Sequence, residues 1–150
     1  MIRLGHSPDP DDAYMWWPLF AIDGQSPRLE SERFTFTPVV EDIQTLNERA
    51  CNASDSDALE VTAISCACYP RVVDRYLITA CGASVGEGYG PRLVAREPIE
   101  IDDLRDKDCV IAVPGEHTTA LLATSLMLGA GRFRWEAVPF DEIADALSKG

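Results

Sequence analysis

The chain has 150 residues, 46% of them hydrophobic, and a net charge of −12 from 25 acidic and 13 basic side chains. That length and apolar content support a globular core, as one domain or as part of a larger protein. The acid is spread along the chain, so it reads as a solvated surface and excludes a basic face for nucleic acid or an anionic membrane. No apolar run is long enough to span a bilayer, and no apolar signal-peptide core opens the chain, so a cytoplasmic location is expected. The five cysteines, an odd number without an export signal, read as reduced thiols.

Ile2 to Leu4 reads as a strand and Asp12 to about Phe20 as a helix. Between them run Gly5-His6-Ser7-Pro8-Asp9-Pro10-Asp11. Proline ahead of a helix and Ser or Asp at its cap satisfy the start, which would make this a plain capped helix. A strand feeding a helix through a tight polar turn is also a usual ligand site in open α/β folds. After a polar loop from Asp23 to Glu32, Phe34 to Thr37 alternates apolar and polar and continues past Pro38 as a strand. Asp42 should cap a helix with Ile43, Leu46 and Ala50 on one face, and with Thr45 and Asn47 facing out. Asn52 to Asp57 is a polar turn, and Leu59 to Ala63 a strand.

A short helix is expected over Cys66 to Asp74, confined by Pro70. Tyr76–Thr79 and Leu93–Ala95 read as strands on either side of a glycine-rich loop or hinge, Cys81 to Pro91. Asp102 to Lys107 is one helical turn. Cys109 to Val113 is apolar on both faces, the mark of a central parallel strand. Pro114-Gly115-Glu116 stops it, and an apolar helix follows over Thr118 to Leu128, ending at Gly129. Phe133 to Val138 is a last strand, and Asp141 to Leu147 starts a last helix. Strands alternate with helices, so the class is α/β with mostly parallel sheets. The glycine loop divides a first α/β lobe, 1–90, from a partial second one, 91–150.

Four turns follow strands: Ser7 to Asp12, Ala63 to Cys66, the glycine loop, and Pro114 to Ala120. In parallel sheets such turns share the carboxyl edge and can converge on one cleft. Thr118-Thr119 opening a helix would suit an anion, through hydroxyls, free amides and the helix dipole, and would equally serve as a cap alone. Ser65 carries the same argument more weakly. A Ser-His nucleophilic pair with His117 lacks a glycine-flanked elbow. Gly86-x-Gly88-x-Gly90 lacks dinucleotide spacing and a following helix. Cys66-x-Cys68 is too short for a zinc knuckle, and Asp9, Asp11 and Asp12 lack the glycine and closing Glu of a calcium loop, so no metal is expected. Met15-Trp16-Trp17 reads as core, with one Trp on a cleft wall.

Taken in order, Ser7-Pro8-Asp9-Pro10-Asp11-Asp12-Ala13-Tyr14-Met15, Glu41-Asp42-Ile43-Gln44-Thr45-Leu46-Asn47, Ala63-Ile64-Ser65 with Tyr69-Pro70, Cys81-Gly82-Ala83-Ser84 to Gly88-Tyr89-Gly90-Pro91 with Val94-Ala95-Arg96, and Val113-Pro114-Gly115-Glu116-His117-Thr118-Thr119-Ala120 resemble the 1,4-dihydroxy-6-naphthoate synthase family. The resemblance spans the whole chain. It implies a two-lobed fold like the type II periplasmic binding proteins, the second lobe incomplete here, with a substrate cleft between lobes. It implies a menaquinone-pathway lyase that converts cyclic dehypoxanthinyl futalosine to the naphthoate without metal or organic cofactor. Carried over residue by residue, it implies substrate contacts at Ala63, Ile64, Ser65, Thr118, Thr119 and Ala120, with Ser7 and Asp12 facing the same small, anionic ligand. Some relatives carry Cys and Asn where this chain has Asp9 and Asp11.

The family's proton-accepting histidine lies beyond the region matching Asp141 to Gly150. The chain is therefore expected to be a truncated form holding binding turns without a catalytic residue, inactive alone. Rival readings are a solute-binding module for a small carboxylate and the sibling chorismate dehydratase. An incomplete second lobe would expose apolar surface and favour homo-oligomers.

Overall fold

The computed structural model describes every residue except Asp55, Lys107 and Gly150. Those three positions carry part of the expected turn at Asn52 to Asp57, the end of the expected helical turn and the chain end. They lie outside the described residues. The chain divides into two units, Met1–Gly86 and Glu87–Gly150.

The first unit is built on three parallel strands in the order β2-β1-β3. These are β1 (Ile2–His6), β2 (Phe36–Val40) and β3 (Val61–Thr62). Leu4 of β1 pairs with Pro38 on one side and Val61 on the other. Pro38 is tolerated because β2 is an edge strand in this sheet. The expected strand at Leu59 to Ala63 shortens to two residues. The expected strand at Phe34 begins only at Phe36.

Helix α1 (Pro10–Trp16) starts earlier than expected, with proline at its first turn where a missing N–H costs nothing. It also stops earlier. Pro18 cannot continue the ladder, and the chain goes on as a 3-10 turn, Trp17–Leu19. Helix α2 (Ile43–Asn52) begins as expected: the Asp42 carboxylate accepts from the Gln44 N–H at 2.7 Å. Leu46 and Ala50 are buried, and so is Asn47, against the expectation that it faces out. Gly5 in β1 makes the close approach of α2 feasible. A Cβ there would sit 2.6 Å from Leu59 Cδ1 and 2.9 Å from Leu46 Cδ2.

The expected helix at Cys66 to Asp74 is a 3-10 turn, Tyr69–Arg71, with Pro70 in its first turn. Its core is Ala50, Cys68 and Val72, flanked by Cys51, Ile64, Tyr69 and Tyr76. Cys51 and Cys68 sulfurs lie 3.5 Å apart, and burial together with that neighbour pushes the Cys68 thiol up to about 12. Tyr76 and Thr79 belong to no strand. Instead the Tyr76 hydroxyl donates to the Leu59 carbonyl at 3.0 Å.

In the second unit, β4 (Val110–Val113) pairs in parallel with β5 (Arg134–Ala137), from Val110 opposite Arg134 to Val113 opposite Ala137. Among the described residues β4 has this one neighbour, so the expected central strand lies in a two-stranded sheet and Val110 stays exposed. Helix α3 (Thr119–Leu128) covers it. Ile111, Val113, Leu121 and Leu128 form the core, with Leu104 and Phe133 against them. A 3-10 turn, Asp103–Arg105, takes the place of the expected helical turn, and the Arg105 guanidinium donates to the Leu128 carbonyl at 3.0 Å. Helix α4 (Ile143–Lys149) closes the unit. The expected strand Leu93–Ala95 is absent, and that segment is exposed throughout. No described helix is long and apolar enough to cross a membrane.

Candidate functional site

Because β1, β2 and β3 are parallel, the turns that leave them emerge at one edge of the first unit's sheet. Two hydrogen bonds carry the ladder past the strands: Glu41 N–H to the His6 carbonyl at 3.2 Å, and Ala63 N–H to the Gly5 carbonyl at 2.8 Å. Ser7, Asp12, Ala63, Ile64 and Ser65 are thereby gathered at this edge, together with Glu41 and Asp42.

The first turn is held by its own side chains. The buried Asp12 carboxylate reaches back from α1 and accepts from the Ser7 N–H at 2.7 Å. Ser7 Oγ donates to the Asp9 carboxylate at 3.0 Å and accepts from the Asp9 N–H at 3.2 Å. His6 Nδ1 donates to the Ser7 carbonyl at 2.7 Å, and the His6 ring stacks on Phe20 with centroids 5.8 Å apart. The Ser7 N–H and hydroxyl and one Asp12 oxygen are therefore spent on the shape of the turn. Asp9 takes the N-cap position of α1 without a side-chain bond to the helix.

The start of the glycine loop lies against α1. Gly82 has φ +82°, and a Cβ there would meet the Trp16 ring at 2.5 Å. Only glycine fits both the backbone and the ring at this point.

Ser65 is differently placed. Its carbonyl accepts from the Cys68 N–H at 2.9 Å, which curls the chain into the turn above Cys68. Its N–H donates to Asn47 Oδ1 at 2.8 Å, and its Oγ accepts from Asn47 Nδ2 at 3.0 Å. The serine is half-buried, with its hydroxyl hydrogen given to no acceptor among the described residues. Asn47 was missed in the sequence because a polar residue was assigned to solvent. The signal was there: Ile43, Asn47 and Ala50 share one helix stripe, at the spacing i, i+4, i+7.

In the second unit the buried Thr118 caps α3. Its hydroxyl donates to the Gly115 carbonyl at 2.7 Å and accepts from the Leu121 N–H at 3.4 Å. That leaves its own proton committed. A helix start of this kind carries backbone N–H groups in its first turn and the positive end of the dipole. Among the described residues no three His, Cys, Asp or Glu side chains are grouped to hold a metal ion.

A sequence model of the family described as menaquinone biosynthesis matches residues 2–150. Over 99% of its length the chain is 37% identical to a 1,4-dihydroxy-6-naphthoate synthase of Thermus thermophilus, covering 49% of that protein. It is 30% identical to the synthase of the same name from Streptomyces coelicolor, again over 49% of the relative. A crystal structure of a protein from Archaeoglobus fulgidus aligns at TM-score 0.81 and 39% identity, over 99% of this chain and 50% of that one. The chain spans about half the length of the curated relatives it matches.

Proposed function

From the membership of this chain in the menaquinone biosynthesis family, we propose that it supplies substrate-binding turns of a 1,4-dihydroxy-6-naphthoate synthase. The whole protein is then a lyase that opens cyclic dehypoxanthinyl futalosine and releases the bicyclic naphthoate. The observation that carries this reading is 37% identity to a synthase of that name along 99% of the chain. On this reading the fold is that of the type II periplasmic binding proteins. Ala63, Ile64 and Ser65 take the substrate from one lobe. Thr119 and Ala120 are the substrate contacts of the second unit, on a helix start set by Thr118. The Ser7 to Asp12 turn frames the first of these without spending a hydroxyl on the ligand. The chemistry is general acid–base at a bound substrate and asks for no metal or organic cofactor. None of these turns is assigned the proton-accepting role.

Calorimetric titration with cyclic dehypoxanthinyl futalosine tests the reading. Saturable binding at one ligand per chain is expected, weakened about tenfold by Ser65→Ala, the loss of one hydrogen bond to a charged or polar acceptor. Preference for chorismate would move the assignment to the sibling dehydratase. Preference for a simple small carboxylate would move it to a solute-binding module.

A further inference from the structure

Asn47 has no solvent-accessible surface, sits on a helix, and gives both ends of its amide to a residue 18 positions on. The orientation of the amide is fixed by chemistry. The Ser65 backbone N–H can only donate, so the atom 2.8 Å from it is the oxygen. The amide nitrogen therefore faces Ser65 Oγ, 3.0 Å away, and donates to it. With that lone pair taken, the hydroxyl hydrogen is turned from Asn47 and has no acceptor among the described residues. The same helix is tied to the turn a second time, by the Cys68 thiol 3.8 Å from the Asn47 carbonyl.

We propose that Asn47 is a positioning residue that makes Ser65 a hydrogen-bond donor, so that the substrate group seated at Ser65 is an acceptor oxygen, a carboxylate or a carbonyl. The proposal rests on the reading of Ser65 as a substrate contact and adds to it the polarity of that contact and the residue that sets it. A buried asparagine held only for packing would not need its two ends matched to one serine's N–H and Oγ. A leucine of similar size would fill the space without leaving polar groups to satisfy.

The test is a double-mutant cycle in the naturally occurring protein that carries this chain, read as the Kd for cyclic dehypoxanthinyl futalosine. Asn47→Asp keeps the shape and the acceptor for the Ser65 N–H. It replaces the donor by a second acceptor, which draws the serine proton inward. Asn47→Ala removes both bonds to Ser65 without burying a charge and stands in should the Asp variant fail to fold. Either variant is expected to raise Kd about tenfold, as Ser65→Ala does, and to add nothing further once Ser65 is alanine. A merely structural asparagine would weaken binding equally with and without the serine hydroxyl, and that additive result overturns the proposal. So does a position-47 variant that binds like the parent. A parent protein that does not bind the futalosine derivative fails the functional reading, and the inference falls with it. A parent that binds while the cycle is additive fails the inference alone.

Discussion

At the scale of single residues, Arg3 ties the first strand to the segment that leads into β3. Its guanidinium donates to Glu60 Oε1 at 2.7 and 3.2 Å and to Oε2 at 3.1 Å, and to the carbonyls of Ser56 and Ala58. Its backbone N–H also donates to Glu60, at 2.7 Å. These bonds hold the Glu60 carboxyl at about 2, far below its ordinary 4.5. A carboxyl depressed on folding contributes stability above its unfolded pKa and loses it as pH falls toward the folded one. The window is therefore pH 4.5 down to about 2. Glu60→Gln should lower the urea midpoint modestly at pH 7, because water screens a pair this exposed, and flatten its fall across that window, so that the two proteins converge toward pH 2. An unchanged acid slope in the variant would remove the pair from the account. The sequence shows the charges but not this partnership, since Arg3 and Glu60 are 57 positions apart and meet only when β3 pairs with β1. Asn47 is the same lesson inside the core. Its spacing with Ile43 and Ala50 is in the sequence, yet its polarity turns the expectation to solvent, and the serine that satisfies it lies on another element.

At the scale of elements, what is encoded locally was legible and what needs a neighbour was not. Helix α3 runs from the cap at Thr118 to the turn at Gly129, whose φ of +93° suits glycine, and both ends were readable from single residues. Asp42 opened α2 in the same way. The strands expected at Tyr76–Thr79 and Leu93–Ala95 had the right composition and did not form. A strand is stable only beside another, and Leu77 stays 90% exposed and Ile78 72% exposed with no partner strand among the described residues. The cap of α3 gives the prediction at this scale. Thr118→Ala removes the acceptor for the Leu121 N–H and the donor to the Gly115 carbonyl, both within a buried turn. The expected cost is about 1–2 kcal/mol in a chemical denaturation experiment. Thr118→Ser, which keeps the oxygen, should recover most of it. A silent Thr118→Ala would mean that the hydroxyl is not what starts the helix.

At the scale of the whole molecule, the α/β class followed from alternation alone, and every strand pairing described, apart from an isolated bridge at Ile22 and Gln25, is parallel. Each unit builds its own small core. Neither core takes in Leu77, Ile78, Val85 or Leu126, which remain 72–90% exposed. Exposed apolar side chains favour association, whereas a net charge of −12 on 150 residues opposes it. The balance should turn on salt. At ~0.01 M the Debye length is ~30 Å and the charges of two approaching chains still repel; at ~1 M it is ~3 Å and the repulsion is gone, while contact between apolar side chains is untouched. Sedimentation equilibrium should therefore give a mass near 16.5 kDa at low salt and a rising weight-average mass at high salt. Leu77→Glu with Ile78→Glu should hold the mass at the monomer value throughout, by adding charge where apolar surface was lost. A wild-type chain that stays monomeric in ~1 M salt would show that these side chains are too scattered to drive association and that charge was never the restraint.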